Sequence, residues 1–127
     1  MPELVYTNYF NQKWNHTVLY SSNLNRRQLL RRIPCHQAVF TRRDTFEKTG
    51  CFDPKNFPIL ADNELILKLL LSCGGRALHV PIVGCCYKDG GFYTRRGFFS
   101  KRERERKVLH RRYFSPRERL TWGFLHK

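Results

Sequence analysis

Asp62 and Glu64 stand two residues apart at the head of the segment ADNELILKLLLSCGG, an unusual place for paired acids because almost every following residue is apolar. Acidic side chains at a helix amino end meet unpaired N–H groups and the positive end of the helix dipole. One use is therefore structural, with Asp62 as the cap and Glu64 adding charge complementarity. The other use is chemical: a carboxylate fixed on a buried helix behind a loop can face a cleft and accept a proton or hold a metal. Both acids chelating one ion from a regular helix is disfavoured, since residues two apart diverge. His36 has two readings as well, a satisfied core histidine or a ligand. Arg42 and Arg43 follow it and offer positive charge to an anion.

Five cysteines, Cys35, Cys51, Cys73, Cys85 and Cys86, contain no C-x-x-C spacing, so small buried thiols are expected rather than a zinc site. Their odd number, with no signal peptide ahead of them, suits a reducing, cytoplasmic location. The longest apolar stretch, Leu65 to Leu71, is interrupted by Lys68. It falls short of the roughly 20 residues that span a bilayer.

The elements that must position these residues follow from local pattern. Glu3 to Phe10 (ELVYTNYF) reads as a strand, with Trp14 to Tyr20 as its weak partner. Asn25 to Arg32 reads as a short helix that stops before Pro34. His36 to Phe40 reads as a buried strand feeding a short helix, where Asp44 and Glu47 have capping-box spacing and Gly50 terminates. Cys51 to Pro58 is a loop, and Leu65 to Leu71 a helix buried on most sides. Two short strands are expected around Pro81, then a turn at Asp89-Gly90-Gly91. Arg96 to Phe114 is a charged helix with Glu103 and Lys107 four apart, and Ser115-Pro116-Arg117-Glu118 starts a terminal helix with a capping box.

A chain of 127 residues with 41% hydrophobic content supports one folded unit and excludes disorder. The net charge of +14 favours anionic partners, and twelve basic residues against three glutamates fall between Arg95 and Lys127. With its interleaved aromatics, that segment raises a nucleic-acid-binding alternative, opposed by Glu103 and Glu105 and by the lack of a nucleic-acid fold signature. It also suggests a helix resting on an anionic membrane surface through Phe98, Phe99, Val108, Leu109 and Tyr113, against a plain solvated basic face.

Taken in order, His36-Gln37, Arg42-Arg43, Gly50-Cys51-Phe52-Asp53, Ala61-Asp62, Leu65 to Leu71 and Gly90-Gly91 resemble the carboxyl half of family 2 glycosyltransferases of the GT-A fold. The resemblance implies an α/β architecture: a partial GT-A-type mixed sheet with flanking helices, lacking the amino-terminal nucleotide-binding half. Residues 1–94 would form this acceptor-side part and 95–127 a basic helical carboxyl-terminal segment. It implies transfer of a sugar from a nucleotide-sugar donor to a hydroxyl of a saccharide or lipid-linked acceptor.

Under the resemblance Asp62 matches the catalytic base, and His36, Gln37, Arg42, Arg43, Glu64, Gly90 and Gly91 fall at substrate-binding positions. A divalent metal, Mg or Mn, is expected for the complete enzyme, although the Asp-x-Asp motif that would ligate it occurs nowhere in the chain. A separate donor-binding half or self-association is the expected partner, with a peripheral place at the inner membrane face possible and nucleic acid disfavoured.

Overall fold

The computed structural model describes residues 1–88 and 97–125. Its centre is strand β1 (Leu4–Asn11), whose residues Leu4 and Tyr6, two apart and so on one face, are buried in the core shared with the helices. Strand β4 (Ala77–Tyr87) lies parallel to β1 along its whole length, from Leu4 opposite Ala77 to Asn11 opposite Tyr87. Strands β2 (His16–Val18) and β3 (Val39–Thr41) pair antiparallel with β1 at residues 9–11 and 4–6. Since β4 occupies one edge of β1, these two short strands share the other, end to end. The result is a four-stranded mixed sheet with flanking helices, the coarse architecture expected.

Helix α1 (Arg26–Arg31) begins where Asn25 accepts a hydrogen bond from the Gln28 N–H at 2.9 Å, and ends before Pro34, as its sequence requires. Helix α2 (Arg43–Lys48) leads through a loop to α3 (Ala61–Leu67), which runs on into a π-helical turn at Lys68–Ser72. Helices α4 (Phe98–Tyr113) and α5 (Pro116–Leu125) complete the chain. The α5 capping box forms in both directions: Ser115 N–H donates to Glu118 at 2.9 Å and Glu118 N–H to the Ser115 hydroxyl at 3.2 Å. Glu118 also receives two bonds from the Arg26 guanidinium, joining α1 to α5. Together these hold its carboxyl at about 2, below the ordinary 4.5. Leu109 and Phe114 are buried in the same cluster as Leu4, Tyr6, Leu29, Phe57 and Leu67, so the basic terminal segment shares one core with the sheet.

Three local expectations need correction. His36 to Ala38 form a 3-10 turn, closed by Ala38 N–H to Cys35 O at 2.8 Å, and only Val39–Thr41 are strand. Because β2 takes the next stretch of that edge of β1, the chain ahead of Val39 has no ladder to join. Asp44 is not a cap, since α2 starts two residues early with Arg42 at the cap position; Asp44 pairs with Arg42 and Glu47 with Arg43.

The third correction is that residues around Pro81 form one strand, not two. Pro81 is tolerated because β4 pairs only with β1 and because the ladder slips register at Thr7, Asn8 and Tyr9. Opposite that irregularity Gly84 lies so close that an added Cβ would stand 2.1 Å from the Thr7 hydroxyl oxygen. Gly84→Ala is therefore expected to destabilise the chain by about 1–3 kcal/mol, the range for overpacking. Thermal denaturation checks this, and an unchanged midpoint would mean that β4 does not approach Thr7 so closely.

Candidate functional site

Helix α3 has no side-chain cap of its own: Leu60 occupies the cap position and Asp62 lies in the first turn. The N–H groups of Ile59 and Leu60, just ahead of the helix, both donate to one oxygen of Glu105 on α4, each at 2.9 Å. A capping-box glutamate three residues into the helix ordinarily satisfies such a group. Asn63 holds that position here, and Glu105 does the work from another helix. Capping therefore does not account for Asp62.

Asp62 turns instead to His36. Its Oδ2 lies 2.8 Å from His36 Nδ1, with the imidazole about half exposed and the carboxylate a quarter exposed. The hydrogen bond to Asp62 raises the His36 pKa above its ordinary 6.5, outweighing partial burial. The 3-10 turn correction matters here, because that turn carries the imidazole to the amino end of α3. The pair lines a cleft of about 370 Å³. Its walls include the aromatic rings of Tyr9, Trp14, Tyr20 and Tyr87 and the cations of Lys13, Arg32 and Arg102. Behind the pair, Tyr20 accepts a hydrogen bond from the Cys35 N–H at 2.8 Å, and burial raises the pKa values of both the Tyr20 phenol and the Cys35 thiol.

The other residues named from sequence lie apart from this cleft. Gln37 is exposed on the 3-10 turn. Arg42 and Arg43 are exposed and engaged by Asp44 and Glu47, and neither lines the cleft. Glu64 is buried between α3 and α4, where Oε1 faces Lys68 at 3.5 Å, Arg112 at 3.8 Å and the Tyr113 hydroxyl at 3.4 Å. Gly90 and Gly91 lie outside the described residues. His79, without an evident partner in sequence, lies 3.0 Å from Asn8 Oδ1 and sits tilted against the Tyr6 ring, 4.9 Å between centroids. Asp62 and His36 are thus the two candidates brought together. Lys13, Trp14, Arg32 and Arg102 went unassigned, because only the fold places the β1–β2 turn, the end of α1 and α4 around one space.

The metal expected by resemblance finds no fitting ligands here. Among the described residues no group of three or more His, Cys, Asp or Glu sits together, and Asp62 and Glu64 face different surroundings. The five apolar residues of the basic helix also fail to share an outward face: Leu109 is buried, Tyr113 is half-buried against Glu64, and Phe99 and Val108 lie on different sides. Several α4 cations are turned to packing, with Arg106 over Trp122 at 4.7 Å and Arg112 over Phe57 at 4.9 Å. Among the described residues no helix is long and apolar enough to cross a membrane.

No protein-family model, no curated protein and no solved structure matches this chain.

Two outcomes follow from the geometry. Glu105→Ala should cost about 1.5–3 kcal/mol in denaturant unfolding, because two N–H groups lose a charged acceptor. An unchanged midpoint would break the proposed dependence of α3 on α4. Asp62→Asn should return the His36 pKa toward 6.5 in an NMR titration. The sign for stability is that of a raised pKa: the pairing stabilises fully below 6.5, and that contribution disappears as pH rises through the folded-state pKa. An unmoved titration would mean that Asp62 does not hold His36.

Proposed function

We propose that this chain carries the acceptor side of an inverting sugar transfer of the family 2 type, with the Asp62 and His36 pair handling the acceptor proton. The observation that carries the reading is the Asp62 carboxylate, set in the first turn of α3, held by His36 at 2.8 Å and opening on a cleft. The turn at Gly50 and Cys51 supports it: both have positive φ, +85° and +62°, the backbone that the family's Gly-Gly pair adopts at little cost.

In the transfer, an acceptor hydroxyl donates a hydrogen bond to Asp62 Oδ1 while Oδ2 stays with His36. As the hydroxyl oxygen attacks the anomeric carbon, the bond to the nucleoside diphosphate breaks and the proton passes to Oδ1. Neutral His36 donates Nδ1–H and fixes the carboxylate rotamer without taking its basicity, whereas imidazolium weakens the base. Transfer therefore rises as pH climbs through the raised His36 pKa. Positioning supplies much of the rate, since an ordinary carboxylate is a modest base at neutral pH.

The donor belongs to a nucleotide-binding half. The outer edge of β4 has no strand partner among the described residues, and Leu78, Ile82 and Val83 on that strand are exposed, so it is the sheet edge such a half would extend.

The test is saccharide binding by the full chain, read from ligand-observed NMR and from the His36 ring resonances. Binding that shifts those resonances and is lost in Asp62→Ala, with the melting transition retained, is expected. No binding across neutral and charged saccharides would overturn the reading. Steeply salt-dependent RNA or DNA binding in its place would favour the basic binding module.

A further inference from the structure

The cleft beside Asp62 is built for more than a neutral sugar. Among the described residues, two arginines from separate elements, Arg32 at the end of α1 and Arg102 on α4, line it with one carboxylate, Asp62. That carboxylate is already partnered by His36. Arg32 meets no carboxylate among the described residues: its guanidinium lies 4.7 Å over the Tyr20 ring and donates to the Leu19 carbonyl, so it is oriented by a π face and a backbone dipole. Arg102 reaches an acid only at 4.0 Å, and that acid, Glu103, is in closer contact with Arg106. Among the described residues the two arginines therefore bring positive potential to a partly enclosed space, where anions are concentrated and arginine forks favour carboxylate and phosphate oxygens. Trp14, 61% exposed and stacked on His16 at the same cleft, offers an apolar platform of the kind that receives the face of a sugar ring.

We propose that the acceptor taken by this cleft is an anionic saccharide, bearing a uronate carboxylate or a phosphate ester that Arg32 and Arg102 engage while Asp62 meets the hydroxyl. The inference rests on the acceptor reading above and adds the charge of the substrate. Asp62 alone would disfavour an anion; the two arginines reverse that preference and hold the charged group away from the reacting oxygen.

The experiment compares glucose, glucuronate, glucose 6-phosphate and inorganic phosphate as ligands of the full chain, at low and high salt, by titration calorimetry and ligand-observed NMR. Either anionic sugar, or both, should bind at least about tenfold tighter than glucose, equivalent to ~1.4 kcal/mol, with the advantage shrinking in salt. Arg102→Gln and Arg32→Gln should each weaken the anionic sugars far more than glucose and so erase most of that advantage, with the melting transition retained, a pattern that misfolding does not produce. Which anionic sugar leads tells carboxylate from phosphate. Equal binding of glucose and both anionic sugars would overturn the inference and leave the acceptor reading intact. Inorganic phosphate matching glucose 6-phosphate, with no response to glucose or glucuronate, would make the cleft an anion site only and overturn the inference. Silence from every sugar and from phosphate would overturn the acceptor reading itself.

Discussion

The N–H groups of Ile59 and Leu60 converge on one nearly buried oxygen of Glu105, 46 and 45 residues further along the chain. Withdrawn from water, those donors and that carboxylate would each carry a desolvation cost; together they satisfy one another. The position of α3 depends on this contact, and so does everything α3 carries. Glu64 extends the clasp one turn on, meeting Arg112 and Tyr113 of α4 with the Lys68 ammonium close by. With α4 holding the helix from behind, Asp62 is free of capping duty and available to His36.

That division of labour explains where sequence reading succeeded. The Asn25 start of α1, the reciprocal Ser115 and Glu118 box of α5, and strand β1 are settled within a few residues, so local chemistry displays them. The mixed sheet with flanking helices was expected from the family resemblance rather than from local chemistry, and that coarse architecture is what the chain adopts. Asp44 and Glu47 show the limit of a spacing rule: the same capping pattern is present, but α2 begins two residues earlier and both acids turn to arginines. The route of β4 through Pro81 depends on an edge position and a slip against β1, neither of which a proline announces. Asp62 and His36 were separately visible, whereas their contact is a property of the packed chain. The remaining walls of the cleft come from three distant segments and had no local signature at all.

The formal charge of +14 also changes meaning once the side chains have places. Arg26 binds Glu118, Arg106 and Arg112 cover aromatic rings, and Arg42 and Arg43 meet their own helix's acids. Much of the basic sequence is thus structural mortar, set against aromatic and acidic partners. Among the described residues the cations that line the cleft come from separate elements, and Arg102 is the one drawn from the dense run along α4.

The topology of β1 carries a consequence for how the chain is made. The central strand emerges from the ribosome before each of its partners, and its longest ladder, to β4, waits for more than seventy further residues. Arg26 waits longer still, since Glu118 follows it by 92 residues. Until then Leu4 and Tyr6 have only short antiparallel neighbours and no completed core. Native assembly is consequently a late event in synthesis, governed by closure of long loops rather than by growth from a local nucleus. A nascent chain of this kind spends its translation time with its central strand uncovered, exposed to association with other chains until the last ladder forms.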